Sequence, residues 1–252
     1  MKGIMFKEDL FRKVLSGEKT QTRRIIPMSQ PVNWAPDKWE LFGAHLHDGS
    51  FAMVLTEPKD DVPGVEIRPS YKKGDLLYLK EPYAYGWTHA TNDQDLHFKY
   101  TATEKELEIF KGDWQNKMFM PAKYAREFIK ITKVRVERIA DISEKDCVAE
   151  GCPGIPCHCN GGGLYCVDCM NTRWQYDPKY IFRLLWNDIN CKWKRIGDNF
   201  FAFPFDRQHL ELKNADRRDR HVIPNPWVFC YDFERCDREG NAIGETAKTG
   251  VV

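Results

Sequence analysis

Residues 19–24, KTQTRR, bring six polar side chains together, and three of the six are cationic. The hydroxyl of Thr22 becomes a nucleophile when a neighbouring base takes its proton. The guanidinium group of Arg23 or Arg24 is suited to grip a phosphate or to polarise a carbonyl. The alternative is a solvated turn without a ligand, which is the common fate of a lysine- and arginine-rich run. The choice depends on whether the fold gives this segment a pocket.

A second group of chemical interest is the cysteine cluster at residues 152–169, which holds five of the nine cysteines. Zinc takes four thiolate or imidazole ligands in a tetrahedron. A C-x-C pair and a later C-x-x-C pair supply four thiolates across a glycine-rich loop: Cys157, Cys159, Cys166 and Cys169. We predict a structural zinc at these four, because four protein ligands leave no open coordination position. Cys152 and His158 are spare candidates, and free thiols are the alternative.

The composition gives no reason to expect a membrane protein or a strongly charged surface. The 38 lysines and arginines balance 37 aspartates and glutamates, so the formal charge is +1. Apolar runs such as residues 200–205, FFAFPF, are far shorter than the roughly 20 residues of a membrane helix. The amino-terminal residues lack the basic and apolar regions of a signal peptide. We therefore expect a soluble, cytoplasmic protein without a membrane partner.

Three helices are predicted around these groups. Apolar residues at helical spacing in residues 10–15 precede Gly17, a residue type that favours the left-handed end of a helix. A second helix occupies residues 142–151, with Ser143 as its N-cap and Glu150 at its end. The third starts at Asp177 and Pro178, and its predicted buried residues are Ile181, Leu184, Leu185 and Ile189.

Strands are predicted at residues 76–79, 127–139 and 225–236, and a hairpin within residues 27–70. About six strands without regular βα alternation favour an α+β fold built on a small closed or partly closed barrel. We expect one domain over residues 1–236 and a flexible tail at 237–252. Three insertions enlarge the domain: the hairpin at 27–70, the cysteine-rich loop at 152–172 and a basic and aromatic segment at 191–224.

Four blocks of the sequence together resemble the ASCH family, a group of PUA-like β-barrel proteins that includes longer members from bacteriophage genomes. In chain order they are GEKTQTRRI, YKKGDLLYLKE, ISEKDCVAEG and NPWVFCYDFERC. The resemblance implies a cleft for RNA, a nucleotide or a modified nucleoside, in a bacterial or phage-infected cell. Small bacterial members are amidohydrolases that deacetylate N4-acetylcytidine. Their K-T-x-T-x-R motif falls on Lys19, Thr20, Thr22 and Arg24, and the implied catalytic set is Lys19, Thr22 and Glu150.

Lys19 is the nearest candidate base for Thr22. Lysine titrates near 10.4, so a base at neutral pH needs its pKa lowered by about 3 units, or roughly 4 kcal/mol. Burial and the neighbouring Arg23 and Arg24 both lower it. Glu150 would protonate the leaving amine or hold Lys19. Strict strand alternation places Lys19 opposite Thr22, unless the turn after Gly17 brings it back.

We name Thr20, Arg23, Arg24, Lys80 and Glu81 as candidate substrate-binding residues. Three functions remain open. The protein binds RNA or a nucleotide without chemistry, it hydrolyses an acylated nucleobase amide, or it is a non-catalytic phage accessory, assembly or host-interaction protein that reuses the fold.

Overall fold

The computed structural model describes residues 1–43, 49–55, 64–88, 91–104, 107, 112–157, 159, 174–206 and 218–243. The chain divides into two compact units. The first unit consists of Met1–Thr20, Lys73–Thr132 and Phe233–Val252, and the second of Gln21–Lys72 and Lys133–Asp232. The prediction of a single domain over residues 1–236 stays a prediction.

The described elements are mostly strands with a few helices, which confirms the α+β class. The helices are α1 (Glu8–Leu15), α2 (Glu144–Ala149) and α3 (Pro178–Asn190). The strands are β1 (Lys2–Met5), β2 (Gln21–Ile25), β3 (Trp39–Gly43), β4 (Phe51–Leu55), β5 (Val65–Ile67), β6 (Leu76–Lys80), β7 (Tyr83–Thr88), β8 (Thr91–Phe98), β9 (Phe128–Arg138), β10 (Ile155–Pro156), β11 (Trp174–Tyr176), β12 (Lys194–Ile196), β13 (Asn199–Ala202), β14 (Arg220–Val222) and β15 (Trp227–Cys236).

In the first unit, β6 pairs with two strands. It runs parallel to β1, with Leu79 opposite Ile4, and antiparallel to the first part of β9, with Leu77 opposite Ile129. β7 and β8 form an antiparallel pair. α1 ends as predicted, because Gly17 adopts a left-handed φ of 80° that is costly for other residue types.

In the second unit, β15 lies between the second part of β9 and β2. β3, β4 and β5 form an antiparallel sheet, which includes the strand pair predicted for the hairpin in residues 27–70. β13 pairs with β12 and β14. β1 and β2 each have a single paired neighbour among the described strands, so none of the described sheets closes into the predicted barrel.

α3 begins where predicted, and its predicted buried face is confirmed in part, because Ile181 and Leu185 are half-buried and pack against a core cluster. The side chain of Asp177 accepts a hydrogen bond from the Tyr180 backbone N–H at 2.7 Å, so it caps the helix. The buried stripe contains Phe182 and Trp186, whereas Leu184, predicted to be buried, is 50% exposed. The apolar residues of this helix occupy two adjacent stripes. The aromatic stripe is the buried one, and the Trp186 indole donates to the Phe203 carbonyl at 2.8 Å.

The segment predicted as an insertion, residues 191–224, contributes to the core of the second unit. Phe201 and Phe203 pack with Met28 and Ile223 in one buried cluster, and Phe205 joins another with Phe182 and Trp186. The aromatic content of this segment is therefore a packing feature in its described part. No helix in the described ranges has the length and apolar character that crossing a bilayer requires.

Candidate functional site

The two sides of β2 carry different groups, because the antiparallel pairing with β15 follows strict alternation. Arg23 lies opposite Cys230, and Thr22 lies opposite Tyr231. Residues directly opposite each other share a face of the sheet. Arg23 and Thr22 therefore lie on opposite faces of the sheet, although the two residues are neighbours in the sequence.

On the first face, Arg23 is held by three carboxylates. Its side chain is only 1% exposed. Nε donates to Oε1 of Glu137 at 2.6 Å, Nη1 to Oε1 of Glu150 at 3.1 Å, and Nη2 to Oδ2 of Asp146 at 3.3 Å. Each nitrogen of the guanidinium group thus has a partner inside the protein. Its role in this structure is to orient Glu150, and substrate contact by Arg23 stays a prediction.

A second arginine, Arg135 on β9, extends this charged cluster. It donates to Asp232 at 3.1 Å, to Asp146 at 2.9 Å and to Glu137 at 3.2 Å. We call the six residues the Arg23 cluster: Arg23, Arg135, Glu137, Asp146, Glu150 and Asp232. Two cations face four carboxylates, so the cluster carries a formal charge of −2.

Asp146 shows how the Arg23 cluster changes a pKa. Burial acts to raise the pKa of this carboxyl. The hydrogen bond from Gln21 and the charges of Arg135 and Arg23 outweigh burial and lower the pKa below its usual value. Sequence reasoning missed the role of Arg135 and Asp146. The alternation of Arg135 and Glu137 on one face of β9 is the signal that points to it.

Glu150 reaches the cluster because α2 ends at that point. Ser143 caps the start of the helix by accepting from the Asp146 backbone N–H at 3.1 Å, as predicted. Gly151 follows with a left-handed φ of 83°, which ends the helix directly after Glu150. Glu150 is 4% exposed, so its carboxylate sits in a nearly dry environment next to Arg23.

The second face of β2 carries Thr22 and Arg24. Thr22 is 4% exposed, and Arg24 is half-buried opposite Phe229. The ring of Tyr231 on this face meets the ring of Tyr71 edge-on at 5.3 Å. Burial lowers the pKa of Arg24, and its interactions with Tyr71, Glu150 and Tyr231 oppose that shift.

Lys194 on β12 shares the electrostatic neighbourhood of Arg24. Burial and then the charge of Arg24 lower the pKa of its ammonium group. Lys194 itself donates to Oδ1 of Asn190 at 2.8 Å, and its Nζ lies 5.9 Å from the centroid of the Phe203 ring. The sequence offered no signal for Lys194. It lies 170 residues from Arg24 and begins β12, a strand that was not predicted from the sequence.

Lys19 and Thr20 belong to the first unit, whereas Thr22 and Glu150 belong to the second. Lys19 is 1% exposed, and its Nζ lies 5.7 Å from the centroid of the Phe6 ring. Thr20 is exposed. The burial expected for Lys19 is present, while its convergence with Thr22 and Glu150 stays a prediction.

The other two candidate binding residues, Lys80 and Glu81, make internal contacts in the first unit. Lys80 donates to the Met118 carbonyl at 2.8 Å. Glu81 is 1% exposed and accepts from Arg126 at 3.1 Å. Burial raises the pKa of Glu81, although Arg126 opposes the shift. Contact of these two residues with substrate stays a prediction.

The proposed zinc ligands fall partly outside the described residues. Cys157 is buried and Cys159 is half-buried, but Cys166 and Cys169 lie in the undescribed range 160–173. Among the residues that the structure describes, no three histidine, cysteine, aspartate or glutamate side chains are grouped to hold a metal ion. Because two of the four ligands are not among them, the zinc site stays a prediction.

Comparisons with known proteins give this chain no relative. No family model, no curated protein and no solved structure matches it. Support for a function of this chain therefore comes from the sequence motif and from the geometry of the described residues.

Proposed function

We propose that this protein is an ASCH-type, PUA-like protein of the cytoplasm of a bacterial or phage-infected cell. It binds RNA, a nucleotide or a modified nucleoside at the second face of β2. The observation that carries the proposal is that Arg24 shares a face of the sheet with Tyr231, whose ring meets the ring of Tyr71 at 5.3 Å. The K-T-x-T-x-R motif, which ends at Arg24, supports the same ligand class.

Arg24 and Lys194 are two like charges in a partly dry environment. Their repulsion and desolvation raise the free energy of the unliganded site, which the lowered pKa of Lys194 reflects. A phosphate near both cations reduces that cost and forms charge-assisted hydrogen bonds. Tyr71 is half-buried and offers part of its ring to a base, since base–aromatic stacking contributes about 1–3 kcal/mol.

The sharper form of the proposal is hydrolysis of an acylated nucleobase amide. Oγ of Thr22 attacks the acyl carbonyl while its proton passes to Lys19, and the leaving amine takes that proton back from Lys19, whose positive charge the Glu150 carboxylate stabilises. Water then hydrolyses the threonine ester and releases the acid. Two observations support this chemistry: the burial of Thr22 and the orientation of Glu150 by Arg23.

The test compares cytidine 5′-monophosphate with cytidine by isothermal titration calorimetry. A phosphate held by cations makes the nucleotide bind about 10- to 100-fold more tightly than the nucleoside. We expect Arg24→Gln and Lys194→Gln each to reduce that ratio. Arg68→Gln is the matched control, because Arg68 lies in the same unit with a side chain that is 70% exposed.

Equal affinity for nucleotide and nucleoside in the wild type, or a ratio that survives both substitutions, contradicts the phosphate site. A single-stranded RNA octamer extends the test. Arg24→Gln should reduce the slope of log affinity against log salt by about 0.7, the contribution of one phosphate contact. A folded protein that binds none of these ligands favours the accessory or host-interaction alternative.

A further inference from the structure

The first unit contains a cavity of about 100 Å³ that lies at the end of β8 and in the turn after it. Its lining includes the aromatic side chains of His97, Phe98 and Trp114, the hydroxyl-bearing Thr101, and Arg126. Aromatic surface next to one fixed cation is the composition of a small-ligand site rather than of a packing defect, which is usually wholly apolar.

Arg126 is fixed in this cavity from two sides. Its guanidinium carbon lies 3.7 Å from the centroid of the Phe98 ring. Nη2 donates to Oε1 of Glu81 at 3.1 Å and also to Oγ1 of Thr101. Among the described residues, the hydrogen bonds of Arg126 all come from Nη2. Nε and Nη1 have no hydrogen-bond partner among the described residues and point to opposite sides of the guanidinium group, so a carboxylate oxygen meets one of them, and the side chain is 44% exposed.

Glu81 holds Arg126 without entering the cavity. Its Oε2 accepts from the Tyr100 backbone N–H at 3.1 Å and from Oγ1 of Thr101 at 3.3 Å. Both carboxylate oxygens of Glu81 thus have partners, and the residue is 1% exposed. Glu81 is a positioning residue: it fixes the guanidinium plane while the ligand meets Arg126.

We propose that this cavity binds a compact planar carboxylate, with the carboxylate on Arg126 and a flat ring against Trp114. Size supports the assignment. An engineered cavity of about 150 Å³ holds benzene, so a cavity of about 100 Å³ with one side open takes a ring of five or six atoms in part. A complete nucleotide exceeds this volume. All the residues involved belong to the first unit, so the site does not depend on Arg24 or on the function proposed above.

The test uses the full chain and three probes that separate charge from ring: benzoate, benzamide and acetate. Benzamide retains the flat ring without the charge, and acetate retains the charge without the ring. We expect calorimetry to give benzoate a dissociation constant of about 1 mM or lower, and an affinity at least about tenfold above that of either other probe.

Arg126→Gln should remove the preference for benzoate over benzamide, because the variant lacks the cation. Trp114→Ala should weaken the binding of benzoate and leave the affinity for acetate nearly unchanged. Arg12→Gln is the matched control and should bind benzoate like the wild type, because Arg12 also pairs with a glutamate, Glu8, but on the exposed side of α1. Circular dichroism confirms that each variant is folded.

Two results overturn the proposal. One is a wild-type protein that does not discriminate benzoate from benzamide, including one that binds neither at about 10 mM. The other is a folded Arg126→Gln variant that keeps the discrimination. Either result leaves the nucleotide site untouched, because that site is tested with different residues and different ligands.

Discussion

Arg23 links Glu137 to Glu150: its Nε donates to Glu137 at 2.6 Å, and its Nη1 donates to Glu150 at 3.1 Å. β9 supplies one of these carboxylates, and the residue that ends α2 supplies the other. The first arginine of the KTQTRR segment, Arg23, therefore faces the protein. This contact gives the Glu150 carboxylate one orientation, which a catalytic or ligand-binding role requires.

Replacing Arg23 should be strongly destabilising, because it leaves buried carboxylates without their cation. We expect Arg23→Gln to lower the free energy of unfolding by about 3–5 kcal/mol. Arg23→Lys keeps the charge but loses the hydrogen bonds to three carboxylates, so its free energy of unfolding should lie between those of Arg23→Gln and the wild type. Urea unfolding measures the change. Arg68→Gln, at an exposed pair, should change stability by less than about 0.5 kcal/mol, and a similar loss in both variants would contradict this account.

Asp146 should make stability depend on pH in the acid range. Its pKa is lowered in the folded state, so the unfolded chain binds the proton more readily as pH falls. The stabilisation is complete above the unfolded pKa of about 3.9 and is lost as pH falls through the lowered value. Asp146→Asn should therefore be less stable than the wild type at pH 7, and the difference should shrink below about pH 4. Urea midpoints measured from pH 7 to pH 2.5 test this, with the exposed Asp188→Asn as the control. A stability difference between the wild type and Asp146→Asn that does not change with pH would be inconsistent with the prediction.

Hydrolysis of N4-acetylcytidine should require both Thr22 and Lys19. Thr22→Val keeps the shape of a buried side chain and removes the nucleophile, so product formation should stop. Lys19→Met should lower the rate by about 100- to 10,000-fold, the usual contribution of a general base. Liquid chromatography of cytidine follows the reaction. Thr132→Val and Lys133→Met on β9 are the controls. Hydrolysis that persists in both site variants would rule out the mechanism.

The cysteine cluster should bind about one zinc per chain through four thiolates. Elemental analysis of protein purified without added metal measures the content. Cys157→Ser and Cys169→Ser should each reduce it to well below half, whereas Cys191→Ser, outside the cluster, should leave it unchanged. A wild-type protein without zinc in metal-replete medium would refute the prediction.

Local patterns in the sequence predicted the elements better than they predicted the contacts. The caps at Ser143 and Asp177 and the left-handed Gly17 mark their helices correctly, because capping depends on residues three or four positions apart. The buried face of α3 was predicted only in part, because two apolar stripes lie side by side in that helix: Ile181 and Leu185 pack against the core, but Leu184 is exposed. Only the packing of Phe182 and Trp186 decides between them.

The candidate site was predictable to a smaller extent. Of the residues that the resemblance implies, Thr22, Arg24 and Glu150 lie in the second unit and Lys19 lies in the first, so their joint site stays a prediction. Arg135 was missed, because its role depends on strand pairing between segments that are far apart in the sequence, and Lys194 was missed, because its electrostatic effect on Arg24 depends on tertiary packing. Such pairings carry no local signal.

Among the described residues of the second unit, the buried indole N–H groups of Trp186 and Trp227 donate to carbonyl groups elsewhere in the chain. Trp186 donates to Phe203 at 2.8 Å, and Trp227 donates to Pro36 at 2.9 Å. Each proton exchanges with solvent only when its own contact opens. In nitrogen-15 spectra, the hydrogen-exchange rates of these two indole N–H groups therefore report two separate local openings. The exchange rate of Trp186 reports how often Phe203, the residue after β13, separates from α3. The exchange rate of Trp227 reports how often the turn at Pro36 separates from β15.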